Sequence, residues 1–566
     1  MNLTNLFRAS ALEHNSSPAL WVDGCVISYG ELGSAATRIA YAIGAARDYR
    51  IGGQCALFVD RSRTAYTSVL GALMAGLAYV PLNPRFPRDR ILDMMRMSEA
   101  DVIVVDDRCL AAAEAVLTAC PRPLTVILPD FAAPPDWALG LRQHRFLCRP
   151  DLERVASPAA EVSPASEDGA YLLFTSGSTG LPKGVLISHA NAMAYVESVR
   201  ERYAPRPDDR FIQLFDFSFD LSVHDMFLCW AAGACLYSAP QNAKSMPRDF
   251  VRRHQLTFWF SVPSTAVFMS RMHVLKPGDF PSLRWSLFCG EALPMRLARE
   301  WQKAAPNSIV ENLYGPTEAT IAFTAYRVPQ GGEAGTDGLD FVPIGWPLPG
   351  QAVAVLGSDG LPVRDGEVGE LCLGGSQVAG GYWRSPDKTA ERFAPPRCAP
   401  EGTRWYRTGD LAVNGPQHGL LFMGRIDRQV KIRGHRVELQ EIEAVIRSEA
   451  GTDAVGVLPW PVLENGLAMG VAGFLSGRRA TIAEIIEGCR RRLPEYMVPT
   501  NLHDLAEWPL NANGKTDYGA LRSILERPER HAGPRRHPHR EQAAPLPASG
   551  HPPSLRAPAR GRHDSG

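Results

Sequence analysis

The 566-residue chain lacks any apolar run approaching the roughly 18–20 residues that a membrane-spanning helix needs. Its first stretch, MNLTNLFRASALEHNSS, lacks the continuous apolar core of a secretory signal. Both absences argue against a membrane role and make the cytoplasm the expected location. Cysteine is sparse: eleven residues, dispersed and without a C-x-x-C pair. That excludes a disulfide framework or a paired-cysteine zinc site and fits reduced thiols. Neither sign of charge is in excess, with 60 Lys and Arg against 60 Asp and Glu, so nothing favours nucleic acid or an anionic surface as a partner. What remains is an ordinary globular composition, 45% apolar and 21% charged, on a chain long enough for two or more domains.

The most informative stretch is Tyr171–Val185, YLLFTSGSTGLPKGV. An apolar run of strand length, Tyr171 to Phe174, breaks into Thr175, Ser176, Gly177, Ser178, Thr179, Gly180, Pro182, Lys183 and Gly184, and a second apolar run, Val185–Ile187, closes it. The glycines let the backbone approach a ligand closely. Clustered hydroxyls, backbone N–H groups and the Lys183 ammonium suit phosphate oxygens. The bland alternative is a polar loop between two strands. A G-x-x-x-x-G-K-[ST] loop does not fit, because Gly184 and not Ser or Thr follows Lys183.

Before this loop the chain alternates helical and extended patterns. Tyr29–Ile43, Thr64–Ala75 and Arg88–Met97 read as helices; Ala56–Val59, Ala78–Leu82 and Val102–Val105 read as strands. Such alternation predicts parallel sheet with helices packed on it. The Ala- and Pro-rich stretch 131–168 reads as an irregular connection. After the loop, Ser188 caps a helix, and His189 reads as a helix-start packing residue with catalysis as the alternative. Asp220 stands among Phe217, Phe219, Leu221 and Val223, where a carboxylate is costly unless paired. It is read as a partner for a substrate ammonium, or else as a helix cap or internal salt bridge. Three further strands, Leu256–Ser261, Trp285–Cys289 and Ile309–Leu313, each run into a polar loop, and ligands gather beyond the carboxyl ends of such strands.

The strings TSGSTGLPKG, NLYGPTEAT, YRTGDL and GRIDRQVKIRGHRVELQEIE, in that order, resemble the signatures of the adenylate-forming superfamily: acyl- and aryl-CoA ligases, luciferases and amino acid adenylation domains of nonribosomal peptide synthetases. The resemblance covers roughly residues 1–525. It implies an α/β chain, with a large N-terminal domain of α/β sandwich sheets plus a small β region (1–426), a small mobile α+β C-terminal domain (427–526), and a Pro-, Arg- and His-rich tail (527–566) expected to be disordered. It implies ATP contacts at Thr175, Ser176, Gly177, Ser178, Thr179, Lys183, Gly290, Glu291, Ala292, Asn312, Leu313, Tyr314, Gly315, Pro316, Thr317, Asp410 and Arg425. Glu318 would bind Mg²⁺, Asp427 would be the interdomain hinge, and Lys431 and Gly434 would lie on a hairpin facing the carrier arm. Lys515, in PLNANGKTD, matches the catalytic lysine.

Among these relatives, the members that activate amino acids carry an aspartate where Asp220 stands. The implied substrate pocket is Asp220, Leu221, His224, Ser261, Leu287, Cys289, Leu313, Ile321 and Ala322, mostly apolar and without a counter-charge for an acidic side chain. FSFDLSVHDM, LFCGEALP and NLYGPTEAT resemble D-alanine–carrier protein ligases and prolyl-carrier protein ligases. The expectation is therefore ATP- and Mg²⁺-dependent activation of a small uncharged amino acid, alanine or proline first, and its transfer to the phosphopantetheine thiol of a carrier protein in trans. An acyl- or aryl-CoA ligase and a non-catalytic binding relative are the alternatives.

Overall fold

Val102–Val105, four consecutive buried β-branched residues, marks a strand covered on both faces, the setting of parallel sheet. In the computed structural model it lies inside a seven-stranded sheet ordered Arg145–Cys148, Thr125–Leu128, Val102–Val105, Gln54–Phe58, Ala78–Pro81, Gly169–Thr175 and Lys183–Ser188. All neighbours are parallel except the last pair. The model describes residues 2–48, 50–155, 162–177, 182–244, 246–330, 338–463, 466–511 and 515–526, and counts of elements refer to these. Helix Tyr29–Ala46 starts at a capping box between Ser28 and Glu31 and buries Leu32, Ala36, Ile39 and Ile43 on one face.

A second sheet of nine strands has a parallel centre formed by Ile309–Tyr314, Trp285–Phe288, Phe258–Ser261, Arg210–Gln213, Cys235–Ser238 and Pro18–Val22. One apolar cluster contains residues of both sheets, including Tyr79, Tyr171, Phe211 and Leu287. A four-stranded antiparallel sheet follows, Gln351–Leu356, Val368–Gly375, Trp405–Gly415 and Gly419–Arg425. Beyond it come a hairpin, Gln429–Ile432 with His435–Glu438, and a three-stranded sheet flanked by helices Leu439–Ala450 and Ile482–Arg492. The apolar cluster of this last region, built on Ile432, Val437, Ile442, Val457, Ile485 and Met497, draws no member from before residue 430. Even so, Met1–Tyr518 forms one compact unit; Gly519–Gly566 is a second, of which the described part is helical up to Glu526.

The alternation read from the sequence is borne out for the helices and strands of the first hundred residues, to within a few residues at each end. The stretch 131–168 is a correction. It contains a 3₁₀ turn, Asp136–Gly140, the edge strand Arg145–Cys148 and helix Arg149–Arg154. Elements of four to six residues are too short to show a period, and the sheet edge supplies the pairing that local pattern could not reveal. The tail 527–566 lies outside the described residues.

Candidate active site

The site lies where strand ends meet the hairpin. Thr175 closes strand Gly169–Thr175, Tyr314 closes Ile309–Tyr314, and Cys289 and Gly290 follow Trp285–Phe288. A cleft opens beyond these ends. Of the residues singled out above, Thr175, Ser176, Asp220, Leu221, Cys289, Gly290, Tyr314, Gly315, Pro316, Thr317, Ile321, Asp410 and Arg425 line it together, as do Lys431 and Gly434 of the hairpin. Gly315 permits the close packing here, since a Cβ would stand 2.7 Å from the Ala322 Cα.

At one end Asp220 is buried, with 7% of its surface exposed, and its Oδ2 has no partner. It occupies the N-cap position of helix Leu221–Ala231 without a side-chain capping bond. Neither bland reading of this residue holds among the described residues: it makes no side-chain capping bond and pairs with no cation there. Burial pushes its carboxyl up to about 6; hydrogen bonding from Thr317 and the Ile321 and Leu221 backbone acts against the rise, and nearby Glu318 adds to it. The cleft therefore holds a carboxylate that a bound cation would stabilise.

A short ionic chain forms the wall beside it. The Tyr314 hydroxyl donates to Asp410, and Arg425 donates to the other Asp410 oxygen. Arg425 also forks onto Asp427 at 2.7 and 2.9 Å. The Thr175 hydroxyl is buried and unpartnered, a donor suited to a phosphate oxygen. Asp410 lies within strand Trp405–Gly415, so it is not a turn aspartate.

Around Glu318 and the hairpin the chain supplies its own partners. Glu318 is fully buried; its Oε1 accepts from the Tyr382 hydroxyl at 2.8 Å and its Oε2 from Arg436 Nη1 at 2.7 Å. Burial acts to raise its pKa, but Arg436 and then Lys183 overcome it and hold the carboxyl at about 2. Lys183 lies 3.6 Å from Glu438, and the Gly177 N–H donates to Glu441 at 3.2 Å. Glu291 accepts the Ser264 N–H at 2.7 Å and the Gly434 N–H at 2.5 Å. At Gly434, with φ of +83°, a Cβ would fall 2.6 Å from Val262, so only glycine lets the hairpin come this close. Glu318 in this arrangement does not fit a metal ion, because both of its oxygens already have partners.

The other expected residues stand back from the cleft. Leu287, Leu313 and Ala322 are buried behind its wall, and Ala292 is not among the lining residues. The Ser261 hydroxyl accepts from Trp259 and donates to the Val262 carbonyl. Asn312 spends its amide N–H groups on the carbonyls of Val342 and Pro343. His224 meets the Tyr195 hydroxyl at 2.7 Å through Nδ1, and burial pushes its pKa down to about 3, so it is neutral. His189 is buried and accepts the Leu3 N–H at 3.3 Å, a packing role. Lys515 is exposed on a turn closed by hydrogen bonds with Asn511 and does not line the cleft. Ser178 and Thr179 lie outside the described residues.

Several lining residues were given no role from the sequence. Phe86, Arg90 and Met94 come from helix Arg88–Ser98 and the loop before it; His435, Arg436 and Tyr496 come from the region after 427. His435 stacks on Tyr496 with ring centroids 3.6 Å apart and meets Phe219 edge-on at 4.6 Å. LNPRFPRDRI and GHRVE were visible strings, but nothing local says that they meet.

Comparisons with known proteins find relatives along most of the chain. The model of the family described as AMP-binding enzyme matches residues 7–383. An L-proline–[L-prolyl-carrier protein] ligase of Streptomyces coelicolor is 33% identical over 548 residues, covering 94% of this chain and 98% of that protein. Tyrocidine synthase 3 of Brevibacillus parabrevis is 32% identical over 531 residues; the match covers 92% of this chain but only 8% of that much longer protein. Among solved structures, the Vibrio cholerae adenylation domain AlmE, in complex with glycyl-adenosine-5'-phosphate, superposes with a TM-score of 0.83 at 32% identity, covering 92% of this chain and 97% of that one.

Proposed function

The chain belongs to the AMP-binding enzyme family, and from that premise we propose that it is an amino acid–[carrier protein] ligase acting on a small uncharged amino acid. The observation that carries this reading is the buried Asp220 carboxylate, whose Oδ2 has no partner, in the cleft that also holds Tyr314, Thr317, Asp410 and Arg425. A substrate with an α-ammonium supplies the missing cation; a simple fatty or aromatic acid does not. Leu221, Cys289 and Ile321 leave the side-chain region apolar, which disfavours acidic substrates. The relatives support a compact substrate: one is named for proline, and one holds a glycyl adenylate. Alanine and proline stand first, with serine behind.

In the first half-reaction the substrate carboxylate attacks the α-phosphorus of ATP, and pyrophosphate leaves. Bringing two anions together is the difficulty, so catalysis is positioning and charge neutralisation. Asp220 holds the ammonium, Tyr314 offers a flat face to the base, and Asp410 takes the ribose hydroxyls. The hydroxyls of Thr175, Ser176, Ser178 and Thr179, the Gly177 N–H and Lys183 hold phosphate oxygens. Mg²⁺ would supply Lewis-acid neutralisation at Glu318 in a state where Arg436 has withdrawn. Lys515 bridges the two reacting anions, so the region after Asp427 must turn to deliver it. In the second half-reaction that region turns back, presents the Lys431–Gly434 hairpin, and a carrier thiol displaces AMP. Delivery of that thiol by a separate protein is part of the proposal, supported by the name of the relative, which sets the ligase apart from its prolyl-carrier protein.

The test is amino-acid-dependent ATP–pyrophosphate exchange with D-Ala, L-Ala, L-Pro, L-Ser, L-Phe, L-Glu and L-Lys side by side. Preference for a small uncharged member is expected. A clear preference for Phe, Glu or Lys contradicts the pocket reading, and consumption of the adenylate by CoA alone favours a CoA ligase.

A further inference from the structure

The loop between strands Ile309–Tyr314 and Thr324–Arg327 has no slack. The Phe323 N–H donates to the Tyr314 carbonyl at 2.7 Å, and the Thr320 N–H to that of Thr317 at 3.1 Å. The chain turns back through two consecutive residues in the left-handed region, Thr320 at φ +58° and Ile321 at φ +71°. Both are β-branched, the side chains that tolerate this region least, so something outside the loop must hold them there. Gln377, which follows strand Val368–Gly375 and is fully buried, reaches across to do so. Its Nε2 donates to the Ala322 carbonyl at 2.8 Å and to the Thr320 carbonyl at 3.3 Å. Its own backbone carbonyl accepts from the Thr320 hydroxyl at 2.5 Å. The Ala379 N–H adds a bond to the Glu318 carbonyl at 2.9 Å. The segment is anchored in turn: the Asn191 amide donates to the carbonyls of Ser376 at 2.7 Å and Val378 at 3.1 Å.

The left-handed pair does two things at the cleft. It aims the Ile321 N–H at Asp220, and it sets the Ile321 side chain on the wall. A change to the ordinary negative φ at either residue swings the peptide planes and withdraws both. We propose that Gln377 is a positioning residue for the amino acid site: it clamps the Thr320–Ile321 turn in its strained conformation, and so fixes where Asp220 holds the ammonium and how large a side chain fits. The proposal rests on the reading of Asp220 and Ile321 given under Proposed function. Gln377 does not line the cleft, so it acts through the turn. Burial makes the clamp strong, because the carbonyls that it serves have no bulk water to replace it. A glutamine that only satisfied buried carbonyls would stabilise the fold without favouring one substrate over another. A clamp changes the amino acid site selectively.

Gln377→Ala in the full chain tests this. In pyrophosphate exchange the KM for the preferred amino acid should rise about tenfold, the scale of one hydrogen bond to a charged group, while the KM for ATP stays near its wild-type value. The preference for a small amino acid over L-Phe should shrink. In hydrogen–deuterium exchange a peptide covering residues 315–326 should take up deuterium faster, with strand Trp285–Phe288 unchanged as the sign of a folded variant. Gln377→Met, which keeps the length and removes the donors, serves where the alanine variant does not fold and is read in the same way. Thr320→Gly supplies the second background, since glycine enters the left-handed region at no steric cost. There Gln377→Ala should raise the amino acid KM by less than about threefold, because part of the strain that the clamp holds is gone. Equal losses in the two backgrounds, or a parallel rise in both KM values, overturn the proposal. If no amino acid supports pyrophosphate exchange in the wild-type protein, the ligase reading falls and deuterium uptake decides the clamp: uptake at 315–326 that ignores Gln377→Ala overturns it.

Discussion

Two neighbouring buried carboxylates meet opposite fates. Glu318 is surrounded by donors and held at a pKa of about 2; Asp220 has an orphaned oxygen and is pushed up to about 6. The protein's own chain has filled the first position and left the second open. The difference shows how to tell a waiting site from a satisfied one: burial raises a carboxyl, and a supplied cation brings it back down. The open carboxylate therefore points to a substrate cation, and the filled one points to a conformational partner.

Each of the following would break that contrast or sharpen it. The largest effect is expected at Asp220. Asp220→Ala removes one partner of a buried pair and should raise the amino acid KM by a factor corresponding to roughly 3–5 kcal/mol, with the KM for ATP nearly unchanged. Equal losses for both substrates would mean that Asp220 supports the cleft as a whole.

Next comes Lys515, the cation that this arrangement keeps outside. Lys515→Ala should slow adenylation by an amount worth about 3–4 kcal/mol or more, the scale of losing a preorganised charge contact. Thiolation from a supplied aminoacyl-adenylate should be largely spared. Pyrophosphate exchange near the wild-type rate would remove Lys515 from the mechanism.

A pH profile gives a smaller effect. With a folded pKa near 6 against an ordinary 3.8, free Asp220 becomes protonated as pH falls through about 6 and loses its hold on an ammonium. Between pH 7 and pH 5 the KM should rise by about tenfold, and Asp220→Asn should flatten the profile. The same shift has the opposite sign for stability. The folded state binds the proton more tightly than the unfolded one, so Asp220's contribution falls as pH rises from 3.8 through about 6. A KM independent of pH across that window would mean that the site is already paired.

The smallest effect concerns selectivity. One methylene in an apolar pocket discriminates by only about 1–3 kcal/mol, so glycine or 2-aminobutyrate should show side activity beside the preferred substrate. Absolute rejection of both would show that more of the wall touches the side chain than Leu221, Cys289 and Ile321.

Legibility in the sequence followed the same contrast. Asp220 stood out because a carboxylate among phenylalanines is a local anomaly, and the strand-end loops at Thr175, Cys289 and Tyr314 were visible as apolar runs breaking into polar ones. Arg436 could not be read, because its partner Glu318 lies 118 residues away and an arginine beside a hairpin turn is locally unremarkable. Arg90 and Glu441 meet across 351 residues for the same reason. His224, Ser261 and Asn312 were legible as polar positions near the site, but their hydrogen bonds to Tyr195, to Trp259 and to the carbonyls of Val342 and Pro343 depend on tertiary packing that spacing does not encode.

The central claim is that Asp220 receives a substrate ammonium. Pyrophosphate exchange with L-alanine and with propionate, which differs from it only by the missing amino group, tests that claim with the unaltered protein. The account predicts exchange with alanine and almost none with propionate; equal exchange with the two acids would contradict it.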